Sequence, residues 1–396
     1  LKFEVLFFQA MPPTVSDAIK ESIYIVSGEV SGDTHGAYLM ESLLEQMPGV
    51  VFHGAGGPAM RSVGGERITD WVEDAAVMGI WEVLKHYKWF KQRFAEMLEE
   101  VLQLKPDVLI LIDYPGFNLR LAHAVKEKLP DTKIVYYISP QVWAWNKGRI
   151  PKMAETLDLM LCIFPFEKAI FESAGLPTVF TGHPLVDELE EKREDVVRAD
   201  QLIGLFPGSR EREVERLFPL MVETARRMHS HHPEWQFEAA AASEKLEGRM
   251  REIIKAGKLP DECKITLKTG NSHSLMQRAT CGVVASGTAT LEAAALGLPY
   301  CLVYKISWPT WVMGKLLIKV DFIGLVNILA GEKIVEELIQ SDAEPCQLEN
   351  DLTQLMTDDK VRDDLRKKLL DTAAKLGDPG AHERAAAEVV KLINKI

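Results

Sequence analysis

The sequence predicts an α/β protein of two doubly wound domains with a cleft between them and a helical C-terminal extension. Three observations lead there. First, 396 residues is long for one hydrophobic core and suits two domains of about 150–200 residues each. Second, short apolar runs alternate with longer amphipathic segments, the pattern of β-α-β units around a parallel sheet. Third, the alternation breaks once, at the charged stretch Leu185–Gln201 (LVDELEEKREDVVRADQ), and then restarts. Residues 12–190 are expected to form the first domain and 191–396 the second. Residues 1–11 are set aside as a tag or linker, because FEVLFFQ resembles an engineered protease-site linker and Met11 is the expected native start.

In chain order, strands are expected at Ile23–Val26, Val50–His53, Val108–Ile112, Lys133–Ile138, Leu159–Ile163 and Thr178–Thr181. Helical patterns such as Trp81–Leu104 and Asn118–Leu129 lie between them. After the charged stretch come strands at Leu202–Phe206, Gln236–Ala240, Lys264–Leu267, Gly282–Ala285 and Tyr300–Val303, and a tail that reads as helical from Lys333 onward. In such folds ligands bind beyond the carboxyl ends of the strands, so the loops just after strands carry the functional reading.

Composition sets the outer limits. Hydrophobic residues at 47% and charged residues at 26% describe a soluble globular protein. A net charge of −12 argues against a general nucleic-acid binder, which presents a basic surface. The five cysteines are widely spaced and form no C-x-x-C, which fits buried thiols in a reducing cytosol. No apolar run is long enough to cross a bilayer.

The first strand leads into SGEVSGDTHGA, Ser27 to Ala37. Its glycines, Gly28, Gly32 and Gly36, are four apart, so this is not G-x-G-x-x-G, and no Lys-Ser/Thr pair follows as a P-loop needs. Glu29 and Asp33 stand where a phosphate loop carries no acid. In LILIDYPGFN (109–118), Asp113 ends a wholly apolar strand, Pro115-Gly116 turns the chain and Asn118 caps the next helix. An acid in that place can serve as a general base with a raised pKa, or can simply cap the turn. YYISPQVWAWNKGRI (136–150) puts Trp143 and Trp145 in a strand-end loop, as a sugar-stacking wall or as core, with Lys147 and Arg149 able to meet an anion.

The second half carries two more turns. In LFPGSRERE (205–213), Gly208 and Ser209 form a tight turn that presents Arg210 at a strand end. Turn amides and a guanidinium suit a diphosphate, and an ordinary turn with a solvated arginine reads the same way. In VVASGTATLEAAALGLP (283–299), Ser286, Gly287 and Thr288 open a helix whose free amides favour phosphate, and Glu292 lies one turn on, where it can accept from a ribose diol. A plain N-cap and a first-turn acid are the alternative.

Two tracts suit a membrane interface, with a domain core or subunit contact as the more usual explanation: Trp71–Phe94 and Ser307–Gly331, which hold five of the eight tryptophans together with lysines. HSHHP (229–233) has no ligand partner at metal spacing and reads as a solvated helix end. No D-x-D stands in a strand-end loop, which favours metal-free chemistry.

In order, GEVSGD (28–33), GAGGPAM (54–60), AVMGIWEVL (76–84), IDYPGFN (112–118), SPQVWAW (139–145), FPFEK (164–168), TGHPLVD (181–187), PGSR (207–210), SGTATLE (286–292) and NILAG (327–331) resemble the lipid-A-disaccharide synthases, two-Rossmann-domain GT-B glycosyltransferases. The likeness runs from about Ser22 to Ile339 and departs at Val30, often Thr in the family, and Gly116, often Asp. It implies inverting, metal-independent transfer from UDP-2,3-diacylglucosamine to 2,3-diacylglucosamine 1-phosphate, giving a β-1,6 disaccharide and UDP. It implies no cofactor and no metal, contact with the cytoplasmic face of the inner membrane, and no nucleic acid; a homo-oligomer is compatible with it. It places UDP at Gly208, Ser209, Arg210, Ser286, Gly287, Thr288, Glu292 and Asn327. The acceptor falls to Ser31, Gly32, Asp33, Met78, Gly79, Asn118, Ser139, Gln141 and Trp143, with Asp113 as base and Glu29 its rival. On that view the first turn faces the cleft from the acceptor side, where its glycines admit a sugar and its acids bind hydroxyls. Other readings weighed are a UDP-GlcNAc 2-epimerase or peptidoglycan N-acetylglucosaminyltransferase on the same fold, and a non-enzymatic module at the membrane surface. A nicotinamide dehydrogenase is disfavoured by the missing G-x-G-x-x-G.

Overall fold

A computed structural model describes residues 21–75, 87–308, 310–311, 314 and 321–395. It contains two parallel sheets. The first has seven strands, β1 (Ser22–Ser27), β2 (Val51–Gly56), β3 (Ile68–Asp70), β4 (Val108–Ile112), β5 (Lys133–Tyr137), β6 (Leu159–Cys162) and β7 (Thr178–Phe180), in the order β3-β2-β1-β4-β5-β6-β7. The second has six, β8 (Leu202–Phe206), β9 (Gln236–Ala241), β10 (Ile265–Thr269), β11 (Cys281–Ala285), β12 (Tyr300–Tyr304) and β13 (Glu337–Ile339), in the order β10-β9-β8-β11-β12-β13.

Both orders reverse direction beside their first strand, so each sheet has a switch point where successive loops diverge. In the first sheet it lies between β1 and β4, paired through Ser27 and Ile112. In the second it lies between β8 and β11, paired through Phe206 and Val284. These central strands are largely apolar because helices cover both faces: Ile23–Val26 and Val108–Ile112 are fully buried, and the one polar group among their side chains, the Tyr24 hydroxyl, donates to Glu100 at 2.6 Å. The helix Glu211–His231 shows the complementary pattern, burying Val214, Leu217, Phe218, Met221, Ala225 and Met228 along one stripe.

The sequence located eleven of these strands to within a few residues and missed β3 and β13. Each missed strand has three residues that include an acid (Ile68-Thr69-Asp70, Glu337-Leu338-Ile339), so no apolar run marks it, and it exists by pairing with a longer neighbour, β2 or β12. The tail expected to be helical from Lys333 is therefore strand first, and its long helices begin at Pro345. Within the charged stretch, Leu185–Glu191 is a helix that buries Leu185 and Leu189. The helix expected from Trp81 is described from Tyr87 to Leu104. The segment 76–86 lies outside the described residues.

Packing groups β1–β4, their intervening helices, the chain from Gly116 to Ile134 and the residues from Val389 on into one compact unit. Asp113–Pro115 and Val135–Glu388 form the other. Within the second unit the TGHPLVD turn ties down the segment before the final helix, Ala381–Ile393. The His183 amide donates to the Leu376 carbonyl at 2.8 Å, Arg384 Nε donates to the Thr181 carbonyl at 2.8 Å, and Asp187 accepts from the Gly380 and Ala381 amides at 2.5 and 3.2 Å. Charge-assisted bonds to helix-start amides are among the stronger local ties.

The glycine spacing of the first turn has a packing cause. The helix begins at Val30, so Gly32 and Gly36 stand inside it, one turn apart on one face. A Cβ at Gly32 would lie 2.4 Å from Ser27 Oγ, and one at Gly36 2.6 Å from Met60 Sδ. Asp33, beside them and only 4% exposed, accepts from the amides of Gly57, Ala59 and Met60 at 2.7, 2.9 and 2.9 Å. Its carboxylate thus caps the start of the helix Pro58–Gly64. Asp33→Ala should destabilise the fold by about 2–4 kcal/mol through three stranded amides, seen as a lower urea midpoint. An unchanged midpoint would refute this role.

Candidate functional site

At the switch point of the second sheet, two loops leave neighbouring strands. After β8, Gly208 adopts φ +103, and a Cβ there would sit 2.3 Å from Glu213 Oε2, so only glycine fits. Glu213 folds back over this turn: its Oε2 accepts from the Arg210 amide at 3.4 Å and its Oε1 from Arg210 Nη1 at 3.3 Å. Ser209 and the Arg210 guanidinium are exposed. After β11, the Ser286 amide donates to the Val303 carbonyl at 3.0 Å, which fixes the turn to β12. Gly287 and Thr288 are exposed, and the first bonds of the following helix come from Thr290 to Gly287 and Leu291 to Thr288. The amides of Gly287–Ala289 precede those bonds, at the place where the start of a helix offers donors to an anion. Glu292 follows one turn later, its Oε2 3.0 Å from His273 Nε2. Amides, a guanidinium and a carboxylate on two adjacent loops can take a diphosphate and hydroxyls together.

In the first sheet, Glu29 holds the N-cap place of the helix Val30–Gln46 in extended backbone and makes no side-chain cap, and both Glu29 and Ser31 are exposed. Beyond β4 the backbone is strained. Asp113 and Tyr114 have φ +44 and +50, and at the end of β5 the β-branched Ile138 has φ +62. Left-handed backbone at non-glycine residues costs of order 1–3 kcal/mol each and persists only where neighbours over-determine it. Those neighbours are present. The Asp113 amide donates to the Tyr137 carbonyl at 3.1 Å, the Tyr136 hydroxyl donates to the Asp113 carbonyl, and the Ile138 amide donates to the Leu161 carbonyl at 3.0 Å. Asp113 itself is half-buried.

The tryptophan loop is built on an acid that sequence reasoning passed over. Glu167, fully buried, accepts from Trp143 Nε1 at 2.9 Å and from the Phe164 amide at 3.2 Å. Phe166 meets Trp143 edge-on at 4.9 Å. Burial pushes the Glu167 carboxyl up to about 7, against the pull of the Ser139 and Trp143 side chains and the Phe164 and Ile163 amides. The signal was present in FPFEK as an acid three residues after the N-cap, but Phe164 holds the cap place where Ser or Thr usually marks such a box. His273 has no sequence signal, since it stands on a seven-residue helix outside any motif.

Several expected residues are employed elsewhere. Asp33 caps a helix, as above. Asn327, 1% exposed, donates to the Val335 carbonyl and Glu337 Oε1 at 2.9 and 2.8 Å and accepts from the Ile334 and Val335 amides at 2.9 and 3.0 Å, so its side chain is saturated within the fold. Asn118 is fully buried and lies inside the helix Pro115–Lys128 instead of capping it, donating to the Ile112 carbonyl at 3.1 Å. Gly32 is buried against Ser27. Ser139 and Trp143 are buried and Gln141 is exposed. Met78 and Gly79 lie outside the described residues.

Of the two tryptophan tracts, Trp71 belongs to the core: it is 2% exposed, donates to the Ser27 carbonyl at 2.6 Å and stacks on Trp89 at 5.9 Å. Trp308 is 75% exposed. Trp81, Lys85, Lys315 and Lys319 lie outside the described residues. Of the HSHHP histidines, His231 pairs with Glu349 at 2.9 Å. Cys162, Cys263, Cys281 and Cys301 are buried free thiols, and Cys346 is exposed. Among the described residues, no helix is long and apolar enough to cross a membrane.

The raised Glu167 carboxyl has a consequence for stability. Between the ordinary 4.5 and about 7, the folded protein holds a proton that the unfolded chain has released. Stability therefore falls as pH rises through that window, by about 3 kcal/mol from this group. Glu167→Gln should flatten that part of the profile, measured by urea unfolding at a series of pH values. Superimposable slopes for the two proteins would show that Glu167 does not titrate there.

Residues 23–389 match the family model described as lipid-A-disaccharide synthetase. The lipid-A-disaccharide synthase of Trichlorobacter lovleyi is 39% identical over 381 residues, covering 94% of this chain and 98% of that protein. Among solved structures, a putative UDP-N-acetylglucosamine 2-epimerase from Listeria monocytogenes superposes with a TM-score of 0.63 at 13% identity, over 95% of this chain and 97% of that one. The calicheamicin glycosyltransferase CalG4 does so with a TM-score of 0.54 at 14% identity, over 96% and 99%. At such identities these two likenesses speak for the two-sheet fold alone.

Proposed function

The chain belongs to the lipid-A-disaccharide synthase family and is a glycosyltransferase, and we propose that it transfers 2,3-diacylglucosamine from UDP to the 6-hydroxyl of 2,3-diacylglucosamine 1-phosphate. The observation that carries this reading is the placement of PGSR and SGTATLE on the adjacent loops at the switch point of the second sheet. In the proposal, residues 191–396 hold the UDP-sugar and residues 12–190 the acceptor. The product is a β-1,6 disaccharide. The protein works at the cytoplasmic face of the inner membrane without crossing it.

Asp113 takes the proton of the acceptor 6-hydroxyl. The oxygen then attacks the anomeric carbon on the face opposite UDP, the bond from that carbon to the UDP oxygen breaks, and its electron pair leaves with UDP. Attack from the opposite face inverts the α-linkage to β. The pinned left-handed backbone at Asp113 and Tyr114 supports this role, since it fixes where the carboxylate leaves the sheet edge. Glu29, exposed at the start of its helix, is the second candidate for the base. Arg210 and the amides of Gly287–Ala289 receive the negative charge that grows on the diphosphate, an electrostatic task for preorganised donors. For Arg210 to do so it must leave Glu213, and an exposed ion pair of this kind is worth no more than about 1 kcal/mol.

Asp113→Asn should lower turnover on the order of 10³-fold while UDP affinity stays close to wild type, measured by UDP release with both acylated substrates present. Near-normal turnover would move the base to Glu29. Arg210→Ala should lower both UDP affinity and turnover on the order of ten- to a hundredfold, read by calorimetry and the same assay. Unchanged UDP affinity would remove Arg210 from the site. Running the assay with a chelator tests the metal-independent chemistry, which arrest of the reaction would overturn.

A further inference from the structure

We infer that His273 is a positioning residue for nucleotide recognition, holding the Glu292 carboxylate in place to accept from the ribose hydroxyls. The inference rests on the proposed reading that Glu292 meets the ribose. His273 Nε2 stands 3.0 Å from Glu292 Oε2, and the two side chains are 23% and 19% exposed, so the contact is largely shielded from solvent. Glu292 has a reason to need it. Glu188, on the helix Leu185–Glu191, has its carboxyl pushed up by burial first, and Glu292 raises it further while Lys192 and His273 pull it down. Two acids therefore feel one another across this corner, with the imidazole beside them. Donation from His273 occupies one oxygen of Glu292, opposes its displacement by Glu188 and leaves the other oxygen for a ligand.

His273 is itself anchored. Gln277, one turn along the same helix, donates to the His273 carbonyl at 3.2 Å and to the Lys192 carbonyl at 3.0 Å, and accepts from the Glu194 amide at 2.8 Å. The imidazole is thus presented from a short helix that Gln277 ties to the segment Lys192–Glu194, beside a carboxylate on the helix that the phosphate turn opens. A carboxylate held at one oxygen keeps less rotational freedom, and a preorganised acceptor binds a diol more tightly than a mobile one.

The test compares UDP with 2′,3′-dideoxy-UDP by calorimetry, the affinity ratio reporting the ribose hydroxyls alone. In the wild type UDP should bind the tighter, and Glu292→Ala should bring the ratio close to one. His273→Ala should reduce the ratio about tenfold, as for a weakened charge-assisted hydrogen bond, with dideoxy-UDP affinity unchanged. His273→Gln, which keeps a donor, should restore part of it. If Glu292→Ala leaves the ratio intact, the ribose reading fails and takes this inference with it. If Glu292→Ala collapses the ratio but His273→Ala does not, His273 has no positioning role. Equal loss of affinity for both nucleotides in His273→Ala would mark a structural residue and equally overturn the inference.

Discussion

Parallel pairing of wholly buried strands at two switch points is the constraint on which the rest of this structure depends. β1 with β4, and β8 with β11, are covered on both faces, so their side chains are largely apolar and polar chemistry gathers at and just past their ends. Because neighbouring strands at a switch point send their loops to opposite sides, a gap opens between those loops. PGSR and SGTATLE follow β8 and β11 at one switch point, and SGEVSGD follows β1 at the other.

Around these gaps the molecule uses strain and burial to fix direction. Left-handed backbone at Asp113, Tyr114 and Ile138 is held by bonds among the ends of β4, β5 and β6. Trp143 is held by a carboxyl that sits in the core. Both devices accept a local cost for a fixed side-chain position, a pattern common where a ligand must be met without rearrangement. The C-terminal segment adds a further tie: Asp187, His183 and Arg384 fasten it to the turn after β7, so the TGHPLVD motif serves as a clasp within the fold.

Much of the candidate site was legible because loops after strands keep their own turn chemistry. Gly208 and Gly287 announce positive φ, and Arg210 and Glu292 follow them at the expected intervals. The polar residues that bond within the fold share a feature. Asp33, Asn118 and Asn327 are polar residues in motifs, and from the chain alone an acid or amide that meets a ligand looks the same as one that meets backbone. The difference is made by amides 24 to 27 residues away for Asp33, and by the fold of β13 against its neighbour for Asn327.

By itself the sequence determined the two α/β halves, eleven of the strands, the family resemblance and the turns that suit a diphosphate. All of these rest on local patterns: apolar period, turn residues, and motifs short enough to lie on one loop. Tertiary structure decided what local pattern cannot carry. It paired β3 and β13 into being, turned a suspected glycine loop into the packed face of a helix, and gave Asp33 to a helix start. It also brought His273 to Glu292, and Trp143 to an acid buried among aromatic rings. Each of those outcomes depends on groups beyond any one local motif meeting in the fold, and where water is excluded a polar side chain must find its partner inside the protein.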